Sequence, residues 1–262
     1  MTAIEALLAA LSGGLVGIVL GLVGGGGSIL AVPLLVYLVG VTNPHVAIGT
    51  SALAVAASAA SALISHARAG TVKWRCALMF AAAGSIGAIG GSSLGKAIDG
   101  QLLLFLFAIV MIVVGVTMLR DRGDPGNPDV VCTRTNAPKV IGFGTGSGAF
   151  SGFFGIGGGF LIVPGLVAAT GMPMLNAIGS SLVAVTLFGL TTAASYAASG
   201  LIDWPLAAVF VGGGIVGSFI GGAASRQLAK NSAALKTVFA ALIFFVAAYM
   251  LWQSSRIFWE GL

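Results

Sequence analysis

A glycine-rich segment occurs twice in this chain, once in each half. The stretch Gly21-Leu-Val-Gly-Gly-Gly-Gly-Ser-Ile-Leu-Ala-Val-Pro33 returns as Gly152-Phe-Phe-Gly-Ile-Gly-Gly-Gly-Phe-Leu-Ile-Val-Pro164. Glycine destabilises a helix, and in lipid no water satisfies a freed backbone group. Two such clusters at matched positions in apolar sequence therefore predict two broken helices that face a shared cavity. In transporters, broken helices of this kind form the binding site.

The composition limits the protein to one broad class. Hydrophobic residues make up 58% of the 262 residues and charged residues only 7%, whereas soluble domains carry about 25% charged residues. We expect an all-α, polytopic transmembrane helical bundle in contact with the lipid bilayer. The excess of basic residues is assigned to loops that set membrane topology, and no patch of the kind that binds nucleic acid is present.

The chain divides into two repeats joined by a polar linker. We predict a first transmembrane repeat over residues 1–119, a cytoplasmic linker over 120–139 and a second repeat over 140–262. The linker, which runs from Arg120 to Lys139, holds seven of the nineteen charged residues. Further along each repeat, Ala47–Ser51 matches Ala177–Ser181, and Gly70 and Trp74 match Gly200 and Trp204. Such matches indicate gene duplication and a pseudo-symmetric fold.

Each repeat contains the same series of apolar segments. A spanning helix needs about 20 apolar residues, so segments 29–40 and 160–171 are too short to cross alone and are predicted to be half-length helices. The other predicted segments are 3–22, 45–66, 76–96, 102–119, 139–153, 175–198, 205–226 and 234–253. Segment 3–22 lacks the positive start of a signal peptide and is taken as a retained first helix.

The basic residues cluster at segment ends and predict topology. By the positive-inside rule, the clusters at 68–75, 120–139 and 226–236 face the cytoplasm. The loop of the second repeat that matches 68–75 has no Lys or Arg, and it carries Asp203 where the first repeat has Lys73. The opposite charge bias predicts an inverted repeat in the cell inner membrane, with both termini periplasmic or extracellular. Three residues of the first cluster are predicted to form a cytoplasmic anion funnel: Arg68, Lys73 and Arg75.

The apolar segments carry no ionisable side chain at their centres. A cation carrier usually keeps Asp or Glu there, whereas a half-helix that starts after glycines offers free N–H groups and the positive end of its dipole. With hydroxyls nearby, the pattern favours a small oxyanion or sulfonate. The predicted substrate-binding residues are Gly24, Gly25, Gly26, Gly27, Ser28, Gly49, Thr50, Ser51, Gly155, Gly157, Gly158, Gly159, Gly179, Ser180 and Ser181.

Each of these motifs also has a purely structural interpretation. Glycines in membrane helices commonly serve close packing, which is the preferred interpretation of the ladders at 87/91/95 and 213/217/221. Pro33 and Pro164 are assigned as hinges or kinks that neighbouring helices compensate. The serines and threonines can instead hydrogen-bond to carbonyls of their own helices.

The remaining reactive residue types form no catalytic or metal-binding pattern. Cys76 and Cys132 lack metal-ligand spacing, and no Ser-His-Asp order or HExxH motif occurs, so we predict no catalytic residue, no metal, no cofactor and no enzymatic activity. His66 adjoins Arg68 at the predicted cytoplasmic boundary, where it could sense pH or steer anions, but an interfacial histidine without a role is the simpler interpretation.

The doubled motifs resemble those of the TauE/SafE family, also called TSUP, of sulfite and organosulfonate permeases. The resemblance covers about residues 7–251. It implies an inner-membrane carrier of sulfur-containing or carbon-containing anions. The residues that carry it are Gly24, Gly26, Gly27, Pro33, Gly49, Thr50 and Ser51, and in the second repeat Gly155, Gly157, Gly158, Pro164, Gly179, Ser180 and Ser181.

The sequence thus predicts a transporter of small anions, with sulfite or a small organosulfonate as substrate, that works by alternating access as an exporter. A passive anion channel, an importer of another sulfur-containing or carboxylate anion, and a non-transporting membrane assembly subunit stay open as alternatives. Proton coupling and the oligomeric state also stay open.

Overall fold

The computed structural model describes residues 2–120, 127, 130, 132–133, 136–155, 159–228, 241, 244–249 and 251–252. Within these ranges the chain forms helices and no strand. The α-helices are α1 (Ala3–Val23), α2 (Ala31–Pro33), α3 (Pro44–Arg68), α4 (Trp74–Lys96), α5 (Gly100–Arg120), α6 (Ala137–Phe154), α7 (Gly159–Thr170), α8 (Met174–Ala197) and α9 (Trp204–Leu228). A 3-10 helix (Gly24–Leu30) precedes the single turn α2, and a π-helix (Leu34–Val39) follows it.

Five stretches within the described residues are long and apolar enough to cross a membrane. They are Ala3–Val39, Pro44–Arg68, Trp74–Lys96, Met174–Ala197 and Trp204–Ser225. The prediction of an all-α polytopic bundle is therefore confirmed. The predicted segment 234–253 lies for the most part outside the described residues, as does most of the linker.

Both segments predicted to be half-length are short. The first, residues 24–39, is irregular and returns alongside α1, since Gly27 packs against the backbone of Leu20. The second is α7, which is 12 residues long and contains Pro164. These two half-helices pack against each other inside the bundle.

In the part of the chain that the structure describes, six glycines have a left-handed φ, and they mark where the chain reverses or leaves a helix. Glycine adopts this conformation without the steric cost that a Cβ brings. The six form three pairs related by 130 or 131 positions: Gly24 with Gly155, Gly40 with Gly171, and Gly70 with Gly200. The duplication seen in the sequence thus extends to the backbone conformation.

Two sets of three parallel helices make up the bundle. Gly17 of α1 packs on Gly214 of α9, and Gly21 packs on residues 218–222, so these helices run in the same direction. Ser58 and Ser65 of α3 likewise meet Gly214 and Gly222. In the second set, α4, α6 and α8 run parallel by the same kind of contact.

The two sets run in opposite directions because α3 and α8 are antiparallel. Gly189 of α8 packs against Ala52 and Ala56 of α3. The first turns of α4, α6 and α8 therefore lie at the same end of the bundle as the last turns of α1, α3 and α9. We call this the basic end, because Arg68, Lys73, Arg75 and Lys139 lie there. The end that carries Glu5, Lys96, Asp99 and Asp203 is called the opposite end.

Close backbone packing explains the glycine ladders of α4 and α9. A Cβ on Gly87 or Gly91 would collide with the Thr145 or Ala149 carbonyl of α6. In the other set, α1 takes the place of α6. Its equivalent carbonyls face Gly217 and Gly221. The structural match is therefore Gly87 with Gly217, one helical turn away from the pairing of Gly87 with Gly213 that the sequence pattern gives. Since both ladders repeat every four residues, the pattern alone cannot fix this register.

A disulfide joins the first turn of α4 to the linker. Cys76 and Cys132 are bonded, with Cα atoms 5.3 Å apart, and each is 1% exposed. This bond holds part of the linker against the basic end. The sequence analysis found no partner for either thiol, because a separation of 56 residues carries no pairing signal.

Candidate functional site

The first glycine segment meets the serines of the second repeat. The backbone N–H of Gly25 donates to the Ser181 hydroxyl at 3.1 Å, and the Ser28 hydroxyl donates to the Gly25 carbonyl at 2.9 Å. A Cβ on Gly24 would come within 2.7 Å of Ser181 Oγ, so only glycine fits here. The glycine cluster thus lets the backbone approach α8 closely enough for an N–H to reach a buried hydroxyl.

The two serines of the motif at 177–181 hold two different elements. Ser181 also donates to the Ile178 carbonyl of its own helix at 2.7 Å. Ser180 accepts a 2.9 Å hydrogen bond from the backbone N–H of Lys73, in the connection between α3 and α4. The adjoining Gly179 lies against this connection, since a Cβ there would be 2.6 Å from Thr71 Oγ1. We call residues 24–28, 71–73 and 178–181 together the first half-site.

The second half-site repeats this arrangement with the halves exchanged. Gly155, in the left-handed conformation, packs against Ile48. Thr50 accepts a 3.0 Å hydrogen bond from the backbone N–H of Asp203, and Ser51 donates to the Ile48 carbonyl at 2.9 Å. Gly49 packs against Leu201, as Gly179 packs against Thr71. Gly157 and Gly158 lie outside the described residues, and only the backbone of Gly159 is described.

The two half-sites lie toward opposite ends of the bundle. Gly189 is level with Ala52 to Ala56, so about 13 residues of helical rise separate the level of Thr50 from that of Ser180. At 1.5 Å per residue this is roughly 20 Å. The structure therefore brings Gly24 and Gly25 to Ser181, and Gly155 to the motif at 47–51, but it does not bring the two hydroxyl motifs to each other.

All the described hydroxyls of the predicted site are buried and hydrogen-bonded to protein. Ser28, Thr50, Ser51, Ser180 and Ser181 are each at most 1% exposed. Ser51 and Ser181 donate to carbonyls of their own helices, which is the structural alternative raised by the sequence. Pro33 is buried beside the first segment and Pro164 is partly buried in α7.

The entrances to the two half-sites differ in charge. Lys73 and Asp203 occupy equivalent positions, each giving its backbone N–H to a motif hydroxyl of the other repeat. Arg68 and Arg75 are exposed beside Lys73 at the basic end. At the opposite end a polar cavity of about 350 Å³ is lined by Glu5, Asn43 and Asp203 among others. The pseudo-symmetry is therefore one of backbone and packing, and not of charge.

His66 connects the first half-site to two neighbouring elements. It is fully buried, with Nε2 3.1 Å from the Gly21 carbonyl and Nδ1 3.1 Å from Thr71 Oγ1. Asn176 donates to the Thr71 carbonyl at 3.0 Å. The equivalent of His66 in the second repeat is Tyr196. Sequence analysis placed His66 at a boundary and missed Thr71 and Asn176, although Thr71 follows the matched glycine of the repeat.

A comparison with known proteins decides which family these features belong to. The family model described as "Sulfite exporter TauE/SafE" matches residues 9–250. The chain belongs to this family. The resemblance drawn from the doubled motifs is thereby confirmed, and TauE/SafE is a family of membrane transporters.

Curated relatives carry the same general description. A "Probable membrane transporter protein" from Xylella fastidiosa strain 9a5c is 51% identical over 249 residues, which cover 93% of this chain and 94% of the relative. Another from Haemophilus influenzae is 30% identical over 203 residues, 74% of each chain. The "Probable membrane transporter protein YunE" of Bacillus subtilis is 27% identical over 230 residues, 79% of this chain and 84% of the relative. No solved structure matches the chain.

The half-sites are lined mostly by uncharged polar groups. Backbone N–H groups, hydroxyls and one imidazole are what the described residues contribute there. Within the described part of the chain, no group of three or more His, Cys, Asp or Glu could hold a metal ion. The polar groups present suit a ligand that is recognised by hydrogen bonds.

Proposed function

We propose that the protein carries small anions, most readily sulfite or a small organosulfonate, by alternating access. The observation that carries this proposal is the contact between Gly25 N–H and Ser181 Oγ inside a TauE/SafE chain. The Ser181 oxygen accepts the hydrogen bond that the Gly25 N–H would otherwise donate to an anion. A sulfur oxyanion has several acceptor oxygens and so can replace one hydroxyl while meeting further N–H groups.

The absence of membrane-embedded carboxylates supports an anionic substrate. The carboxylates in the described residues, such as Glu5, Asp99 and Asp203, lie at the opposite end. Cation carriers usually keep such groups at depth. The glycine segments Gly24–Gly27 and Gly155–Gly159 and the motifs Gly49–Ser51 and Gly179–Ser181 remain the proposed contacts for the anion, with Pro33 and Pro164 as hinges.

We further propose that the two halves form an inverted repeat. Helices α1 and α3 run opposite to their counterparts α6 and α8, which is the relation expected for a two-fold axis in the membrane plane. Two equivalent half-sites toward opposite ends fit alternating access, because opening one end while closing the other exchanges their environments. The repeat boundaries proposed from the sequence, 1–119 and 140–262, are consistent with this relation.

The distribution of charge favours one orientation of the protein in the membrane, and the membrane potential favours one direction of anion transport. The positive-inside rule favours a cytoplasmic basic end in the cell inner membrane, so that Arg68, Lys73 and Arg75 raise the local anion concentration. The N-terminus, beside Glu5, would then be periplasmic or extracellular. An inside-negative potential drives an anion outward by about 2.3 kcal/mol per charge per 100 mV. For an anion that crosses without a coupled ion, export is therefore the favoured direction.

Counterflow in proteoliposomes tests the proposal. Vesicles with purified full-length protein are loaded with unlabelled sulfite, thiosulfate, sulfoacetate or sulfate, and labelled sulfite is added outside. We expect transient, saturable accumulation that depends on the internal anion. Flux without counterflow would indicate a channel, and flat traces with all four anions would overturn the proposed substrate class.

A matched pair of glycine variants tests the site. Gly24 and Gly40 both have left-handed φ, but a Cβ on Gly24 meets Ser181 and Ile178, whereas a Cβ on Gly40 meets nothing within 4 Å. We expect Gly24→Ala to abolish counterflow and Gly40→Ala to retain most of it. Equal activity in both variants would place the anion elsewhere.

A further inference from the structure

His66 has hydrogen-bond partners that fit both protonation states of its ring. The Gly21 carbonyl can only accept, so Nε2 carries a hydrogen in either state. Thr71 Oγ1 lies 3.1 Å from Nδ1 and also 3.1 Å from the His66 carbonyl oxygen. In the neutral ring the Thr71 hydroxyl donates to Nδ1. In the protonated ring Nδ1–H donates to Thr71 Oγ1, and the hydroxyl hydrogen turns to the His66 carbonyl.

This exchange requires the rotation of one hydroxyl hydrogen and no movement of a heavy atom. A buried polar group left without a partner is costly, by about 1–3 kcal/mol. Where a buried histidine is satisfied only in its neutral state, protonation leaves a ring N–H donor facing another donor. At His66 neither state leaves a ring nitrogen without a partner. The geometry is that of a site that takes up and releases a proton.

The ring is joined to the first half-site on both sides. Gly21, which accepts from Nε2, is three residues before Gly24 in the same chain reversal. Thr71, which meets Nδ1, lies against Gly179 of the motif that holds Gly25 through Ser181. The Thr71 hydroxyl is thus shared between the imidazole and the wall of the half-site. A change of charge on the ring therefore changes the electrostatic potential where we propose that the anion binds.

On the described elements packed around α3, the described charged side chains nearest His66 in the chain at this end are basic: Arg68 of α3 itself and Lys73 of the following connection. The carboxylates Glu5 and Asp203 of these elements belong to the opposite end, as do His45 and Tyr196. A positive ring at this place is stabilised by a negative charge nearby, and the transported anion would supply one.

We propose that His66 is the proton-binding residue of this carrier and couples one proton to each anion, an inference that rests on the proposed function. An anion in the first half-site favours the protonated ring, and a protonated ring favours the anion, because such coupling is reciprocal. Proton and anion then cross together, so a monovalent anion moves without net charge and the pH gradient, not the membrane potential, sets its direction. The second repeat has Tyr196 in the equivalent position, and a phenol does not titrate near neutral pH. One proton site per molecule follows.

Burial links proton access to the transport cycle. His66 is 0% exposed, and Thr71 of the adjoining connection is 8% exposed. Movement of the 69–73 connection away from α8 would uncover the Thr71 side of the ring, and it would break the hydrogen bond between Lys73 N–H and Ser180. The motion that opens the first half-site therefore also opens the proton site.

The test separates exchange from proton-driven accumulation. Proteoliposomes are loaded and assayed with thiosulfate or methanesulfonate, whose charge does not change near neutral pH, and valinomycin with equal potassium holds the membrane potential at zero. For the wild type, with monovalent methanesulfonate, we expect a pH gradient of one unit to drive accumulation up to about tenfold. Anion exchange at equal pH needs no net proton movement.

The decisive variant is His66→Gln, which keeps an N–H donor for the Gly21 carbonyl and cannot take up a proton. We expect it to retain anion exchange and to lose the accumulation driven by the pH gradient. His45→Gln is the matched control, since His45 Nε2 also lies 3.1 Å from a carbonyl, that of Ile98. It is expected to keep wild-type accumulation. A His66→Gln protein that accumulates anion like the wild type overturns the proposal.

Thr71→Val provides a second test if His66→Gln fails to fold. It leaves the imidazole in place and removes the hydroxyl that serves both states; because Thr71 belongs to the first half-site, we expect exchange to weaken as well, and proton-driven accumulation to fall several-fold further than exchange. Unchanged accumulation in this variant overturns the proposal. A wild type that exchanges anions but ignores the pH gradient also overturns it and leaves the transport function intact. Loss of exchange with every anion would instead remove the proposed function itself.

Discussion

Gly25 and Ser181, which are 156 residues apart in the chain, are joined by a 3.1 Å hydrogen bond from backbone N–H to hydroxyl. Each belongs to a motif that the sequence repeats, but the two belong to different repeats. The chain therefore builds each half-site from the glycine segment of one half and the hydroxyl motif of the other. Neither half can form its site alone.

Replacing Ser181 with alanine should weaken both stability and transport. The change leaves the Gly25 N–H without its acceptor in a buried place, at a cost of about 1–3 kcal/mol. We expect a lower melting temperature in detergent and a strong loss of anion counterflow. Ser61→Ala is the control, because the Ser61 hydroxyl bonds only the carbonyl of Ala57 one turn back. Similar effects of both changes would show that the Gly25 contact has no special role.

The helix directions predict on which side of the membrane two equivalent positions lie. Ala69 and Ser199 follow α3 and α8, and both are exposed. In a Cys76→Ser/Cys132→Ser background, single cysteines at these positions should react with an impermeant maleimide from opposite sides, Ala69→Cys from the cytoplasm. Labelling of both from one side would exclude the inverted arrangement.

Two neighbouring glycines of α4 should respond differently to alanine. A Cβ on Gly91 meets the Ala149 carbonyl of α6, whereas a Cβ on Gly90 meets nothing within 4 Å. We expect Gly91→Ala to separate the helices and lower the melting temperature by several degrees. Gly90→Ala should be neutral or stabilise the helix by up to about 1 kcal/mol. A thermal-shift assay on both purified proteins checks this, and a destabilised Gly90→Ala would contradict the packing described.

The state of Cys76 and Cys132 in living cells should report which compartment the basic end faces. The cytosol keeps thiols reduced, so the proposed orientation predicts two free thiols in cells and a disulfide after purification in air. Cells are quenched in acid, and the protein is denatured in the presence of a maleimide-polymer conjugate that labels free thiols. The shift of the labelled protein on a gel is compared with and without prior treatment with a reductant. A shift that needs reductant would mean that the basic end faces an oxidising compartment.

Much of the fold could be predicted because its determinants are local. The absence of charge over about 20 residues is enough to assign a spanning helix, and the bounds of α3, α4, α8 and α9 agree with the predicted segments to within a few residues. Glycine clusters and short apolar length were enough to predict half-length helices at 29–40 and 160–171, where the structure has short segments at 24–39 and 159–170. Family membership also followed from local motifs.

The candidate site could be predicted only in part. The described motif residues are buried and lie close to the chain reversals. Their grouping was not predictable, because a hydroxyl motif near the start of α3 and its copy in α8 look alike in sequence yet lie roughly 20 Å apart once α3 and α8 pack antiparallel. Thr71 was missed because a single threonine in a connection carries no signal until its neighbours are known.

The sequence by itself determined the class of molecule, the duplication, the breaks at Gly24 and Gly155, and the bias of positive charge toward one end. These properties depend on residue type and on short spacing. Only the tertiary structure decided that Gly25 pairs with Ser181 and that Cys76 bonds Cys132. It also decided that the two glycine ladders correspond with a shift of one helical turn from the pairing in the sequence, and that His66 contacts both Gly21 and Thr71. Each of these is a contact between distant residues, fixed by how helices pack and not by what any one segment prefers.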